Sequence, residues 1–215
     1  AQKPLTDYVN PMLGTATLWD SVDLGFKPTK RTWGAEVFPG SSLPNAMVQV
    51  SPVTKFHSGA GYQYEDSVIY GFTHTNKGHW NLCHIPLLPV TGTPTPGDYC
   101  SPFSHERESA APGYYQVFLD RYGVDAQLSS TLRCAFHKYT YPAGAAASLL
   151  ADLQRSNEHV RAWDIRKEGD NVFAGWQQTG EKMYFYAVAN RPVTGIEPVV
   201  EGDREVRIVR FGEGD

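Results

Sequence analysis

Residues whose types could do chemistry are most concentrated between Thr73 and His84. This segment holds three histidines, two asparagines, one tryptophan and one cysteine, but a single aliphatic side chain. Because such a composition suits a hydrophobic core poorly, the segment is predicted to be a loop that presents polar groups. Trp80 would offer an exposed stacking surface at the rim of the fold, and His79 and Asn81 would bind hydroxyl groups. A loop with a purely structural role is the alternative.

Cys83 adds two further hypotheses, a zinc site and a nucleophile. Zinc could be bound by Cys83 together with one of three histidines, His74, His79 or His84. The spacing matches no standard structural zinc motif, however, and the adjacent Cys83 and His84 cannot easily share one ion. Nothing in the surrounding sequence supports a cysteine nucleophile either. The segment therefore favours a binding loop, and no metal ligand is predicted in this chain.

Glu106 and Glu108 come closest to a catalytic carboxylate pair. On a strand they would share one face, and general acid–base catalysis by two carboxylates needs a set separation between them. The two residues flank Arg107 and precede a turn at Pro112 and Gly113. A solvated strand with a local ion pair is the expected structure, so no catalytic residue is predicted in this chain.

Composition narrows the class of protein. The 215 residues carry a net charge of −4, without the basic surplus that nucleic-acid binding usually needs. No apolar run approaches the roughly 20 residues of a membrane-spanning helix. The chain has three cysteines, Cys83, Cys100 and Cys134. An odd number argues against a complete disulfide framework. The turn 38–44 lacks the Gly-x-Ser-x-Gly elbow of serine hydrolases, and no glycine-rich phosphate loop is present.

The elements that must position these residues are predicted to be short strands. Residues 1–34 are irregular, no stretch of a dozen residues has a convincing helical period, and aromatic residues make up 13% of the chain. We therefore predict an all-β fold, an antiparallel β-sandwich. Pro89 favours an edge position for its strand, and 115–119 with 124–129 and 160–165 with 172–176 form hairpins. The other predicted extended runs are 47–50, 61–64, 68–72, 87–90, 132–141, 148–153 and 183–188.

Seven motifs, taken in order, resemble one enzyme family. They are VNPMLGT at 9–15, FPGSSLPNAMVQVSP at 38–52, GYQY at 61–64, GFTHT at 71–75, FSHE at 103–106, PGYYQV at 112–117 and TLR at 131–133. Over about residues 5–190, the chain resembles glycoside hydrolase family 92, the calcium-dependent exo-acting α-mannosidases of bacteria.

The resemblance implies an N-terminal β-sandwich followed by a larger α/α barrel, with the active site between them. Calcium binds the mannose hydroxyls, hydrolysis inverts the anomeric centre, and the acid, the base and most calcium ligands belong to the barrel. Residues 1–215 would then be the N-terminal domain without the barrel. Alone it is expected to be inactive and to bind no calcium tightly.

The resemblance also implies partners, a location and a subgroup. The partners would be α-mannose-containing glycans and the barrel domain, and the location would be secreted, periplasmic or at the cell surface. Residues 78–84 resemble the α-1,2-specific subgroup, in which Trp80 borders the leaving-group sugar and Cys83 lies near the terminal mannose. His79 and Asn81 are added to this site from their positions alone. A stand-alone lectin-like sandwich without catalysis and a purely structural sandwich are the rival hypotheses.

Overall fold

The structure is a computed structural model that describes residues 3–18, 25–27, 35–77 and 80–212. Within these ranges the chain forms β-strands and two short 3-10 helices, Leu5–Tyr8 and His105–Arg107, but no α-helix. The strands are β1 (Ser51–Val53), β2 (Val68–Ile69), β3 (Gly71–Thr73), β4 (Asn76–Lys77), β5 (Trp80–Asn81), β6 (Leu87–Val90), β7 (Ser101–Pro102), β8 (Glu108–Ala111), β9 (Tyr114–Leu119), β10 (Val124–Ser130), β11 (Ala135–Thr140), β12 (Ser148–Ala151), β13 (Ala162–Gly169), β14 (Val172–Gln178), β15 (Lys182–Val188), β16 (Val193–Glu201) and β17 (Arg204–Phe211).

A six-stranded antiparallel sheet, in the order β1-β3-β6-β12-β17-β16, forms the middle layer. Its central strands β6 and β12 are buried at every residue. Their alternate side chains enter two separate hydrophobic clusters: Leu88 and Leu150 join one, whereas Leu87 and Leu149 join the other. Burial on both faces explains why these strands read as continuous apolar runs, since successive strand residues point to opposite faces.

Two smaller sheets cover the faces of the middle layer. The four-stranded sheet β11-β10-β9-β8 packs on one face through residues such as Val117 and Leu128, which belong to the first cluster. The three-stranded sheet β13-β14-β15 packs on the other face through Ile165 and Phe173, which belong to the second. The predicted antiparallel β-sandwich is therefore confirmed, and the third layer is a feature that the sequence did not indicate.

Both predicted hairpins are present. Strands β9 and β10 pair with Leu119 opposite Val124, and the turn between them contains Gly123 at a φ of 65°. A side chain is excluded at Gly123 because an added Cβ would lie 2.9 Å from the Pro142 ring. Strands β13 and β14 pair from Ala162 to Gly169 and extend beyond the predicted runs.

Three predictions for the first half of the chain are wrong. Residues 47–50 form no strand: Met47 is 69% exposed, and Val50 makes only an isolated bridge to Ser41. Residues 61–64 form no strand either, and the turn that follows begins at Tyr64. Residues 68–72 belong to two strands, because β2 pairs with β7 whereas β3 pairs with β1 and β6.

Pro89 does not mark an edge strand. Strand β6 lies between β3 and β12 in the middle of the sheet. The pairing with β3 reaches only Leu87, opposite Phe72, whereas the pairing with β12 continues past Pro89. The missing N–H group of the proline is tolerated because the neighbouring strand has already ended on one side.

Candidate functional site

The segment around Trp80 folds as a short hairpin and not as an exposed loop. Strand β4 pairs with β5, and Trp80 lies opposite Lys77. The Trp80 side chain is half-buried, so the prediction of a fully exposed ring is corrected. His79, which we predict to bind hydroxyl groups, lies outside the residues that the structure describes.

Asn81 holds this hairpin to a neighbouring turn. It is only 2% exposed. Its side-chain Nδ2 donates to the Ala60 carbonyl at 3.1 Å, and its Oδ1 accepts from the Cys83 N–H at 2.8 Å. Its backbone N–H donates to the Gly59 carbonyl at 2.8 Å. Asn81 therefore positions the segment, in place of the hydroxyl-binding role that its sequence position suggested.

Cys83 is completely buried beside Gly61. An added Cβ at Gly61 would lie 2.9 Å from the Cys83 sulfur, so the glycine makes room for the thiol. Burial raises the pKa of Cys83 to about 12, which keeps the thiol protonated at neutral pH. A protonated, enclosed thiol is a poor nucleophile. Among the described residues, no group of three His, Cys, Asp or Glu side chains could hold a metal ion, so the zinc alternative for Cys83 also loses support.

Backbone strain is concentrated next to Cys83. The φ angles of Cys83 and Ile85 are 54° and 55°, a left-handed conformation that is particularly unfavourable for a β-branched residue such as isoleucine. The Ile85 N–H donates to Oε1 of the fully buried Gln177 at 2.8 Å. Strand β14 thus fixes a strained turn, an arrangement that is found at ligand-binding sites.

Asn157 joins three chain segments into one platform. Its Oδ1 accepts from the His57 N–H at 2.5 Å, while its Nδ2 donates to the carbonyls of Asn81 at 2.5 Å and of Ser58 at 3.2 Å. The Asn157 N–H also donates to the Leu82 carbonyl at 2.9 Å. We call residues 55–61, 80–85 and 156–158 the three-loop platform.

A buried histidine connects the platform to a carboxylate at its rim. His84 Nδ1 lies 2.8 Å from the Thr75 hydroxyl, and Nε2 lies 3.2 Å from the Glu158 carboxylate. Burial lowers the pKa of His84, and a neutral ring with its proton on Nε2 satisfies both contacts. Thr179 also donates to Glu158 at 2.7 Å. The Glu158 side chain nevertheless stays 40% exposed.

Two rim residues of the platform were not found from the sequence. His57 is exposed and has a left-handed backbone, and Glu158 is held in place by His84 and Thr179. The His84–Glu158 contact spans 74 residues of sequence, and the Asn157–His57 contact spans 100. No local motif could have indicated them.

The described residues do not fit a calcium or zinc site by themselves. Within the described ranges, no group of three His, Cys, Asp or Glu side chains could hold a metal ion. Calcium takes 6–8 oxygen ligands, and the platform brings a single carboxylate, that of Glu158. The absence of a tight calcium site in this chain stays a prediction.

Glu106 and Glu108 do not form a catalytic pair on one strand face. Glu106 is exposed in the 3-10 helix, whereas Glu108 begins β8 with a side chain that is 1% exposed. The Glu108 carboxylate accepts from the Tyr115 hydroxyl at 2.6 Å and contacts His105 Nδ1 at 2.6 Å. Glu106 is thus solvated as expected, although in a 3-10 helix, whereas Glu108 lies on the expected strand but is buried.

Known structures share this architecture. The family GH92 α-mannosidase BT3965 from Bacteroides thetaiotaomicron is 25% identical and superposes with a TM-score of 0.82 over 99% of this chain and 32% of its own. The family GH92 inverting mannosidase BT2199 from the same organism is 22% identical, with a TM-score of 0.76 over 99% of this chain and 30% of its own, which shows the fold alone. This chain therefore spans about a third of their length. BT3965 is also known in complex with mannoimidazole.

The sequence comparison identifies the family directly. No curated protein matches the chain significantly. The described part of the chain contains no helix with the length and apolar character of a membrane span.

The family follows from a match over most of the chain. The profile of the glycosyl hydrolase family 92 N-terminal domain matches residues 8–208, so the chain belongs to glycosyl hydrolase family 92 and forms its N-terminal domain.

Proposed function

We propose that this chain is the substrate-binding N-terminal part of an inverting exo-α-1,2-mannosidase. Its membership of family 92 and its likeness to the α-mannosidase BT3965 support a role in mannoside hydrolysis. The observation that carries the proposal is the three-loop platform, in which Asn157 holds the Asn81 backbone next to Trp80, close to the strained turn at Cys83 and Ile85. A rigid support of this kind is what a sugar-stacking side chain needs to select one linkage.

In this proposal each side chain has a separate task. Trp80 packs against the leaving-group sugar, whereas Cys83 lies near the terminal mannose and shapes its pocket from a buried position. Glu158 and His57 bind hydroxyl groups at the rim. His79 is retained as a hydroxyl partner from its sequence position.

The acid and the base would come from the rest of the enzyme, in an α/α barrel. An inverting mechanism requires two carboxyl groups roughly 6.5–9.5 Å apart, so that water fits between the base and the sugar. Calcium ligands would also have to come from outside the described residues. A secreted, periplasmic or cell-surface location would give the enzyme access to α-mannose-containing glycans.

Replacing Trp80 by alanine in the full-length enzyme tests the proposal. We expect kcat/KM on α-1,2-mannobiose to fall by about tenfold, because a lost aromatic contact costs roughly 0.5–1.5 kcal/mol in addition to the area it buries. Activity on α-1,3-mannobiose should change less. Phe136→Ala is the control, since Phe136 is 68% exposed on β11. The proposal fails if the melting temperature drops strongly while linkage preference is unchanged.

A further inference from the structure

The outer face of the three-stranded sheet carries three aromatic rings. Tyr184 and Tyr186, on β15, are 71% and 69% exposed. Tyr184 lies opposite Trp176 on the neighbouring strand, and Tyr186 lies opposite Ala174. Alternate residues of a strand share a face, so all three rings and the small Ala174 side chain point outwards together. We call this surface the aromatic trough.

The aromatic trough is concave. A cavity of about 350 Å³ opens on it, which lies within the ~300–1,000 Å³ that is usual for small-ligand sites. Ala174, which lies between Tyr186 and Arg166 on the neighbouring strands, contributes a small side chain to the lining. Arg166, Glu168, Trp176, Tyr184 and Tyr186 also line the cavity.

Charged groups surround the rings. Arg166 contacts Glu168 at 2.5 Å and Asp164 at 3.6 Å, and all three side chains are at least a third exposed. The Lys182 ammonium lies 3.6 Å from the centre of the Trp176 ring and covers part of it. The two tyrosine rings are therefore the accessible stacking surfaces, with a carboxylate and a guanidinium beside them.

This chemistry suits an uncharged sugar better than a protein surface. A tightly packed protein partner would strip water from Arg166, Glu168 and Lys182 without offering them matched charges, and lasting interfaces are depleted of lysine and glutamate. A pyranose ring can instead lay its C–H face on a tyrosine ring. Its hydroxyls can then bind Glu168 and Arg166 while the charged groups remain hydrated.

The aromatic trough is separate from the three-loop platform. Gln177 follows Trp176 in β14 and therefore points to the opposite face, where it holds the Ile85 turn at 2.8 Å. We propose that the aromatic trough is a second, non-catalytic binding site for neutral glycan chains. The choice of mannose as the first probe rests on the proposed function, whereas the site itself does not.

Titration of the 215-residue chain with α-1,2-mannotriose, and with neutral glycans that lack mannose, tests this inference. We expect the ring resonances of Tyr184 and Tyr186 to shift with saturation. Tyr184→Thr and Tyr186→Thr, which keep a residue suited to strands, should each weaken binding by about tenfold. Phe136→Thr, an exposed aromatic residue of β11, is the matched control and should bind like the wild type.

Three results would overturn the inference. One is that no neutral glycan gives saturable shifts at the tyrosines. Another is that binding survives in both tyrosine variants but is lost in Trp80→Ala, which would support the proposed function alone. The third is that the tyrosine substitutions abolish self-association of the chain in sedimentation experiments, which would make the trough a protein interface. Glycan binding at the trough without any effect of Trp80→Ala on cleavage would retain this inference and reject the proposed function.

Discussion

Replacement of Glu108 by alanine is expected to lower the free energy of unfolding by about 3–5 kcal/mol. The carboxylate is almost fully buried, and it accepts from the hydroxyls of Tyr62 at 3.0 Å and of Tyr115 at 2.6 Å. Burial and the adjacent carboxylate raise the pKa of both tyrosines, so both hydroxyls remain donors. Without Glu108 the two donors would be left unpaired, at about 1–3 kcal/mol each. Urea denaturation measures the loss.

Glu106→Ala is the matched control for Glu108→Ala. Glu106 lies two residues away and is exposed, so its removal should change stability by no more than about 0.5 kcal/mol. Glu108→Gln should fall between the two, because an amide keeps one acceptor oxygen. Equal losses for Glu106→Ala and Glu108→Ala would show that the tyrosine–carboxylate network contributes no stability.

Strands joined by a short turn could be predicted from the sequence. In β9 and β10 the buried and partly buried residues alternate, and the turn ends at Gly123. Burial does not alternate regularly in β13 and β14, and there the turn residues 168–171 indicated the hairpin. Strands whose partners are distant in sequence were harder to predict: residues 68–72 read as one apolar run but are shared between two sheets. The sequence carries the period of a strand but not the identity of its neighbour.

For the candidate site, too, the sequence predicted one part of the structure and missed another. The segment 73–84 was correctly selected as unusual, and a polar composition normally indicates exposure. Asn81 and His84 are instead buried, because polar partners from residues 57–60, 157–158 and 179 surround them. A buried polar group is stable when it is hydrogen-bonded, and the folded chain supplies those bonds over long sequence separations. Trp80 keeps the partly accessible position that its proposed role requires.

A pair of half-buried histidines leads to the second large expected effect. His74 Nδ1 donates to the Ile85 carbonyl at 2.8 Å, and its Nε2 lies 3.0 Å from His137 Nε2. Tyr139 donates to His137 Nδ1 at 2.7 Å. Two neutral rings, with protons on His74 Nδ1 and His137 Nε2, satisfy every contact. Because His74 bonds to Ile85, this network also supports the strained turn of the three-loop platform.

Stability is therefore expected to fall in mild acid. Burial lowers the pKa of His74 to about 4, and burial together with His74 lowers the pKa of His137 well below its usual value. In the unfolded chain both histidines titrate near 6.5. Above pH 6.5 both histidines are neutral in the folded and in the unfolded chain. As the pH falls from 6.5 to about 4, they bind protons in the unfolded chain before they do so in the folded chain, so the free energy of unfolding decreases. For His74 alone, this amounts to about 3 kcal/mol.

Urea denaturation at a series of pH values between about 4 and 7 measures this penalty. The double variant His74→Gln/His137→Gln keeps donors and acceptors but cannot titrate, so its free energy of unfolding should depend less on pH than that of the wild type. His84, whose pKa burial also lowers, is present in both proteins, and the difference between the two slopes therefore isolates the His74–His137 pair. His159→Gln, at an exposed position, should keep the wild-type slope. If the double variant also keeps that slope, the pair is not the source of the acid sensitivity.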